Sequence, residues 1–264
     1  MNAEVRSYLD AIDWLWQAGL RFGSAIDLGC ADGQFSVFLA EGGPLRNSVL
    51  LNVDAQDEYR DSLIAIQTEL GGHYRFCAVG EHDGETVALN SGAHPYWASL
   101  RQAGDSYWRS INDLRGQSIS VPLRSLDSLV AEMALPGPHL VKMDIQGGET
   151  AALAGGKNAL RNTAAVVLEI VTEDFATIHA SLCESGFELF DLSNLSYPES
   201  GALGWFYATY LSARYSYLRP STHWSPGAND GMLFAQNEQR SNVRAAIAQS
   251  LARKRAGQWS EVVA

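Results

Sequence analysis

The segment from Ser24 to Phe35 constrains the fold of this chain more than any other. An apolar run ends in Asp27, glycines follow at Gly29 and Gly33, and apolar residues then recur at helical spacing. This pattern predicts a buried strand, a tight turn and a helix, with the turn at the carboxyl end of the strand. We expect a ligand to bind at that turn, because a residue without a Cβ lets a ligand approach the backbone closely.

The spacing of the glycines narrows the class of ligand. Counted from Gly29, the later glycines of the dinucleotide fingerprint G-x-G-x-x-G are replaced by Ala31 and Gln34. The turn has no lysine for phosphates, and an acid stands at the strand tip. S-adenosylmethionine (SAM), a cationic nucleoside without phosphate, fits this combination. The binding candidates of this stretch are Asp27, Gly29, Cys30 and Gly33. An ordinary turn with a capping aspartate is the alternative interpretation.

The charge balance disfavours a nucleic-acid partner. The 264 residues include 30 acidic and 19 basic side chains, for a formal net charge of −11. Such a surface repels phosphate backbones unless a local basic patch exists. The basic residues 253–255 are more typical of a solvated helix end. A hydrophobic content of 46% predicts a globular protein with a substantial core.

The lack of a recognisable targeting segment and the arrangement of the cysteines predict a cytoplasmic protein. The sequence contains no apolar segment long enough for a membrane span and no basic leader followed by an apolar run. Cys30, Cys77 and Cys183 are widely spaced and odd in number. They suggest neither a disulfide framework nor a zinc site, and buried free thiols are expected instead.

A second apolar run, residues 49–54, predicts a buried strand that ends in Asp54. This acid lies 25 residues after Gly29, about where doubly wound nucleotide folds place a carboxylate for the ribose hydroxyls. Residues 74–79 predict a third strand, which makes Ala78 a further cofactor-binding candidate. Glu81 lies in the polar loop that follows, where an adenine edge is expected to meet backbone amides.

The remaining pattern divides the chain into a central domain and two terminal helices. We predict an N-terminal helix within residues 1–23, a ligand-binding domain over 24–239 and a C-terminal helix within 240–264. Aromatic, irregular stretches at 91–116 and 193–230 are predicted as insertions, the first a lid and the second a substrate-facing element or an oligomer contact. Further strands are predicted at Ile119–Leu123, His139–Ile145, Ala164–Ile170, Phe187–Leu192 and Gly231–Gln236.

Strands that alternate with helices predict an α/β fold with a doubly wound, mostly parallel sheet. The last two predicted strands have no helical pattern between them, which favours one antiparallel strand near the C-terminus. Acids at the tips of the first, second and fourth main strands complete the Rossmann-like architecture of class I methyltransferases.

Three segments resemble the FkbM family of SAM-dependent methyltransferases. They are Val121-Pro-Leu-Arg-Ser-Leu-Asp127, Leu140-Val-Lys-Met-Asp-Ile-Gln-Gly-Gly-Glu149 and Val166-Val-Leu-Glu169. The resemblance implies O-methylation of a hydroxyl group on a small molecule such as a sugar or a natural-product intermediate. The chain departs from the family at Gln146, where a glutamate is usual, and at Asp54-Ala55, where Glu-Pro is frequent.

Three residues are candidates for catalysis. Asp144 ends the fourth main strand, where it is expected to act as a base or to orient the substrate, with a helix cap as the alternative. Glu149 lies in the first turn of the next helix, where a negative charge is favoured in any case. His94 lies in the predicted lid and has a side chain suited to removing a proton near neutrality, although a surface histidine is the alternative.

Other chemistries stay open at this point. Asp144 and Glu169 at neighbouring strand tips are candidate ligands for Mg²⁺, which would acidify a diol hydroxyl. A nicotinamide-dependent dehydrogenase is disfavoured by the missing third glycine. A SAM-binding scaffold without turnover would bind the same cofactor and form no product. Homo-oligomerisation through the aromatic insertion is a further expectation.

Overall fold

The computed structural model describes residues 7–84, 86–91, 98–100, 118–197 and 201–219. All of these residues belong to one compact unit, which spans residues 1–219. The predicted strand at 231–236, the predicted C-terminal helix and His94 therefore lie outside the described residues, as does most of the 91–116 insertion.

The described residues form eleven strands and seven α-helices. The strands are β1 (Ser24–Leu28), β2 (Val49–Asp54), β3 (His73–Phe76), β4 (Ala78–Gly80), β5 (Thr86–Ser91), β6 (Ala98–Ser99), β7 (Ser118–Ser125), β8 (His139–Met143), β9 (Thr163–Val171), β10 (Phe187–Ser196) and β11 (Trp205–Ser212). The helices are α1 (Tyr8–Gln17), α2 (Gln34–Gly42), α3 (Arg60–Leu70), α4 (Leu126–Glu132), α5 (Glu149–Ala154), α6 (Lys157–Arg161) and α7 (Phe175–Glu184). Among these helices, none is long and apolar enough to cross a bilayer.

The main sheet has the strand order β3-β2-β1-β8-β9-β11-β10. All neighbouring strands in it pair in parallel except β11, which runs antiparallel to both β9 and β10. Strands β1 and β8 are buried along their full length, as expected for strands covered on both faces. The predicted class I, Rossmann-like fold with a mostly parallel sheet is confirmed.

The antiparallel strand lies earlier in the chain than the sequence pattern indicated. It is β11, within the segment 193–230 that we interpreted as an insertion. Phe206 and Tyr210 of this strand are buried in the core, and Tyr210 is fully inaccessible. Phe206 and Tyr210 are therefore core residues rather than exposed contacts, because aromatic side chains pack well on a covered sheet face, whereas Tyr217, beyond the strand, is exposed.

The predicted third strand, 74–79, is in fact two strands that belong to different sheets. The chain leaves the main sheet at Cys77, so β3 pairs with β2 while β4 pairs with β7. The second sheet has the order β4-β7-β5-β6 in the described residues, with β5 antiparallel to its neighbours. It begins beside the carboxyl end of β2, so it borders the ligand-binding edge of the main sheet.

The strand order reverses between β1 and β8, where the connections lead to opposite sides of the sheet. In open α/β sheets, ligands bind in the crevice at such a reversal, outside the carboxyl ends of the strands. The ends of β1, β2 and β8 and the last part of β9 carry Gly29, Asp54, Asp144 and Glu169 to this edge.

The two glycines of the first turn serve packing as well as backbone freedom. Both have positive φ, +72° at Gly29 and +81° at Gly33. A Cβ at Gly29 would lie 1.9 Å from the carbonyl oxygen of Asp144, and a Cβ at Gly33 would lie 2.2 Å from the Ile66 side chain of α3. Gly29 therefore lets the ends of β1 and β8 meet, and Gly33 seats α2 against α3.

We predict that Gly29→Ala destabilises the fold, whereas Gly42→Ala does not. The left-handed backbone costs about 1 kcal/mol for a residue with a Cβ, and a forced shift of packed groups costs about 1–3 kcal/mol more. Gly42 has open space around its Cα and lies in a helix, where alanine is favoured. Urea denaturation of both variants measures the difference, and equal stability of the two would contradict the packing role.

Candidate functional site

A cavity of about 310 Å³ opens at the carboxyl edge of the main sheet, beside the second sheet. Asp54 lies on its β2 side, and Asp144, Gln146 and Glu169 lie on its β8 and β9 side. None of the described residues that line it carries a basic side chain. The cavity therefore favours a neutral or cationic ligand over an anionic one.

Asp54 is held rigidly at the tip of β2. Its carboxylate accepts hydrogen bonds from the backbone amides of Ala31, at 2.8 Å, and Gln56, at 2.9 Å. Burial raises the pKa of Asp54, and the two amide bonds offset part of that effect. Each carboxylate oxygen has more than one acceptor site, so Asp54 keeps the capacity to accept hydroxyl groups of a ligand in the cavity.

An apolar wall stands next to Asp54. It is built from both sheets and the loop after β2, and its side chains include Ala55, Cys77, Ala78, Val79 and Leu89. Tyr59, in the short 3₁₀ helix before α3, adds an aromatic ring to this part of the lining. A flat, weakly polar group such as a nucleobase suits such a wall, while Asp54 suits an adjoining sugar.

A cluster of two carboxylates, an amide and a phenol forms the other side of the site. The Gln146 side-chain amide donates to Asp144 Oδ1 at 2.8 Å and to Glu169 Oε2 at 2.6 Å. The Tyr207 hydroxyl donates to Asp144 Oδ2 at 2.6 Å. Gln146 has a left-handed φ of +53°, and its carbonyl accepts a hydrogen bond from the hydroxyl of Ser99. The loop after β8 is thereby tied to the second sheet.

The positive charge of Lys142 lies next to this cluster, on the buried side of Asp144. Its ammonium group is almost fully buried and donates to Asp27 Oδ1 at 2.9 Å and to the carbonyl oxygen of Gly29 at 3.1 Å. It also lies 3.8 Å from Asp144 Oδ2. Burial alone would lower the pKa of Lys142, but the charges of Asp27 and Asp144 raise it above its ordinary value. Lys142 is therefore a permanent cation.

The two carboxyl groups of the cluster titrate differently. Burial would raise the pKa of Asp144, but the Lys142 charge and the hydrogen bonds from Tyr207, Glu169 and Gln146 hold it below its ordinary value. Burial and the negative charge of Asp144 raise the pKa of Glu169 well above its usual range. Asp144 is therefore the member of the pair that ionises first, and Glu169 keeps its proton to higher pH.

Glu149 lies behind the cluster in the first turn of α5. Its Oε1 accepts hydrogen bonds from the backbone amides of Ile145 and Gly147, both at 3.2 Å. Burial raises its pKa to about 7. Glu149 clamps the loop that presents Gln146, and it does not line the cavity.

The structure brings together some of the predicted site residues and separates others. Gly29, Asp54, Ala78, Asp144 and Glu169 line one cavity. The remaining described candidates, which do not line it, are Asp27, Cys30, Gly33, Glu81 and Glu149.

Each of these displaced candidates has a structural reason for its position. Asp27 is fully buried and pairs with Lys142, so its charge is used inside the protein. Cys30 is buried, and its thiol contacts the carbonyl oxygen of Ala31. Glu81 is exposed beside His82. Its loop is organised instead by Asp83, which accepts a hydrogen bond from the backbone amide of Ser125.

Sequence reasoning missed three polar residues of this region. Lys142 had a visible signal, since a lysine inside the predicted buried strand 139–145 is costly unless it is paired. Gln56 and Tyr207 had no comparable signal in the sequence. Gln56 lies in the turn after β2, and Tyr207 lies on β11, which we interpreted as part of an insertion.

The family model described as the methyltransferase FkbM domain matches residues 39–189, more than half of the chain. The chain belongs to the FkbM methyltransferase family. It is therefore a methyltransferase with a SAM-binding fold, and the resemblance noted in the sequence is confirmed. A search of curated proteins finds no match.

Solved structures with similar chain traces are also methyltransferases, all at low identity. The FkbM methyltransferase of Methylobacillus flagellatus is 15% identical with a TM-score of 0.43, and the match covers 73% of this chain and 45% of that one. An rRNA methylase from Streptococcus thermophilus is 11% identical with a TM-score of 0.44, covering 80% and 99%. Fibrillarin from Aeropyrum pernix, with natively bound SAM, is 10% identical with a TM-score of 0.41, covering 76% and 74%.

We predict that Glu149→Gln changes how the stability of this FkbM domain depends on pH. A buried carboxyl with a pKa of about 7 keeps its proton in the folded protein at pH values where the unfolded chain has lost it. The wild type therefore loses stability relative to the variant as pH rises from about 4.5 to 7, by on the order of 3 kcal/mol, and the difference is constant above pH 7. Urea denaturation across this range measures it.

Glu184→Gln, at an exposed position of α7, is the matched control for loss of a carboxyl group. A pH-independent difference between Glu149→Gln and the wild type would show that folding does not raise the pKa of Glu149.

Proposed function

We propose that this protein transfers a methyl group from SAM to a hydroxyl group of a small molecule. The observation that carries the proposal is the pairing, in one cavity whose described lining has no basic side chain, of the buried carboxylate of Asp54 with the ionised carboxylate of Asp144. The first suits the cofactor, and the second suits removal of a proton from the acceptor.

The residues present fit SAM. Asp54 would bind the ribose hydroxyls, the apolar wall of Ala55, Ala78 and Val79 would contact the adenine, and the acidic lining would face the positive sulfonium. When bound, SAM supplies an electrophilic methyl group. Phosphate-bearing cofactors fit less well, because the described cavity lining offers no cation to a phosphate.

Asp144 is the residue that we place in the role of base. Its carboxylate is ionised near neutrality and accepts the proton that the acceptor hydroxyl loses as its oxygen becomes a nucleophile. Glu169 keeps its proton to higher pH than Asp144 does, and its hydrogen bond to Asp144 stabilises the ionised form of the base. Gln146 holds the two side chains together, which limits their freedom before the acceptor binds.

The charge of the protein supports a small acceptor over RNA. The formal net charge is −11, and Asp144 and Glu169 add local negative potential where the acceptor is expected to bind. A neutral, hydroxylated molecule avoids this repulsion. Total RNA is included as a competing acceptor in the experiment below, and its methylation in preference to small molecules would overturn the proposed acceptor class.

We predict that Asp54→Asn weakens binding of S-adenosylhomocysteine about 10-fold or more, since hydrogen bonds to a charged group are worth about 1.5–3 kcal/mol. Asp57→Asn, three residues later at an exposed position, is the matched control and should bind as the wild type does. Isothermal titration calorimetry of the three proteins measures the effect. Equal affinities would remove Asp54 from the cofactor site.

We predict that Asp144→Asn lowers the turnover number about 100-fold or more, as expected for loss of a general base, while S-adenosylhomocysteine still binds. The acceptor is first found by incubating the protein and SAM with a panel of hydroxylated compounds and detecting a mass gain of one methyl group. Unchanged turnover in Asp144→Asn would remove Asp144 from proton transfer. SAM binding without any methylated product would instead favour a scaffold.

The same assay with EDTA tests the magnesium alternative. No group of three or more His, Cys, Asp or Glu side chains among the described residues is arranged to hold a metal, and the Gln146 amide lies between Asp144 and Glu169. Activity that survives EDTA would rule out a required divalent cation. The role of His94 stays a prediction, tested by the turnover of His94→Ala.

A further inference from the structure

The phenol of Tyr207 reaches the proposed base from a part of the chain that the FkbM family model does not match. Tyr207 lies on β11, beyond residue 189, and its hydroxyl donates to Asp144 Oδ2 at 2.6 Å. Strand β11 is antiparallel to β9, with Tyr207 directly opposite Glu169. Tyr207 therefore lies opposite Glu169 in the sheet and donates a hydrogen bond to Asp144.

The N-terminal helix supports Tyr207 from its other side. The ring of Tyr8, the first residue of α1, stacks on the ring of Tyr207 with centroids 4.4 Å apart and planes 24° apart. This helix also precedes the residues that the family model matches. Helix α1 and strand β11, which are far apart in the sequence, therefore both contribute to the hydrogen bond that Asp144 accepts, β11 directly and α1 through the stacked ring.

The position of Tyr8 is fixed by its own contacts. Its backbone amide donates to the side-chain oxygen of Asn194, on β10, at 3.0 Å. Ser7 caps the helix, and its backbone amide donates a hydrogen bond to Asp10 Oδ2 at 2.8 Å. A helix start tied to the sheet in this way holds the Tyr8 ring in one place, and aromatic stacking orients the Tyr207 ring.

The groups around Asp144 come from every neighbouring element. Lys142 lies 3.8 Å from its Oδ2 on β8, Gln146 donates to Oδ1 from the following loop, Glu169 is hydrogen-bonded to it from β9, and Tyr207 donates from β11. Asp27, Tyr8 and Glu149 form the next layer of titratable groups. Lys142 supplies charge, whereas Tyr207 supplies a directed hydrogen bond at the same oxygen.

We propose that Tyr207, supported by the stacked ring of Tyr8, is a positioning residue that orients the Asp144 carboxylate for proton removal and favours its ionised form. This inference rests on the proposed function insofar as Asp144 is the base. It assigns to α1 and β11 a role in the reaction that is separate from cofactor binding.

The first test compares Tyr207→Phe with Tyr210→Phe. Tyr210 is fully buried on the opposite face of the same strand, where its hydroxyl lies 3.1 Å from Nδ1 of His179, so each variant loses one hydrogen-bonded phenol hydroxyl. We expect Tyr207→Phe to lower the turnover number about 10-fold or more and to move the acidic limb of its pH profile to higher pH. Cofactor affinity should be unchanged. Tyr210→Phe should keep the wild-type profile.

A second measurement does not depend on turnover. The side-chain carboxyl of Asp144, labelled with carbon-13 and assigned through Asp144→Asn, is titrated by NMR in the wild type and in both phenylalanine variants. We expect its midpoint to rise in Tyr207→Phe and to stay at the wild-type value in Tyr210→Phe. Equal midpoints and equal pH profiles in the two variants would overturn the proposal.

Variants of Tyr8 test whether the helix acts through the ring. Tyr8→Phe keeps the stacking surface, and Tyr8→Leu removes it. We expect Tyr8→Leu to reproduce the pH shift of Tyr207→Phe in weaker form and Tyr8→Phe to shift the profile less than Tyr8→Leu does. If Tyr8→Leu titrates as the wild type does, the support from α1 is refuted.

The two proposals can fail separately. Absence of any methylated acceptor, with the expected NMR shift in Tyr207→Phe, would refute the proposed function and leave the link between Tyr207 and Asp144 standing. A methylated hydroxyl with no difference between the two phenylalanine variants would refute the link and leave the function standing. Thermal denaturation of every variant identifies any that has lost its fold.

Discussion

The buried ammonium group of Lys142 is the interaction on which the rest of this site depends. It joins the ends of β1 and β8, the two strands between which the sheet reverses its order, through Asp27 and the carbonyl oxygen of Gly29. Removing one partner of a buried ion pair is strongly destabilising, because the other charge is left without compensation. The same ammonium keeps Asp144 ionised. One cation thus contributes both to strand alignment and to the reactivity of the site.

The distribution of protons at the sheet edge follows from that cation. Asp144 faces Lys142 and gives up its proton first, while Glu169, next to the resulting negative charge, keeps its own to higher pH. Two carboxyl groups of similar intrinsic acidity therefore acquire different roles from their surroundings. The neutral amide of Gln146 bridges them without adding charge, which distinguishes this chain from family members that have a glutamate at that position.

Much of the fold was predictable because it follows from local patterns. Apolar runs of five or six residues that end in an acid, as at residues 49–54 and 139–144, are typical of buried parallel strands, and the structure has strands at both places. The pattern at 74–79 failed because a strand that changes sheets at Cys77 has the same local sequence as one continuous strand. The segment 205–212 failed because aromatic residues suit a covered strand and an exposed loop equally well, and packing against β9 decides between them.

The sequence by itself determined the family, the parallel architecture and the presence of acids at the strand ends, because these depend on residue type and short-range spacing. The tertiary structure decided which of these acids is paired inside the protein and which lines the cavity. Asp27 lies one residue before the end of β1 and Asp54 ends β2, yet Asp27 is neutralised inside the sheet by Lys142 while Asp54 lines the cavity. Tyr8 and Tyr207 meet beside Asp144 although 198 positions separate them in the chain. Such assignments depend on distances between strands and on burial, which no local pattern encodes.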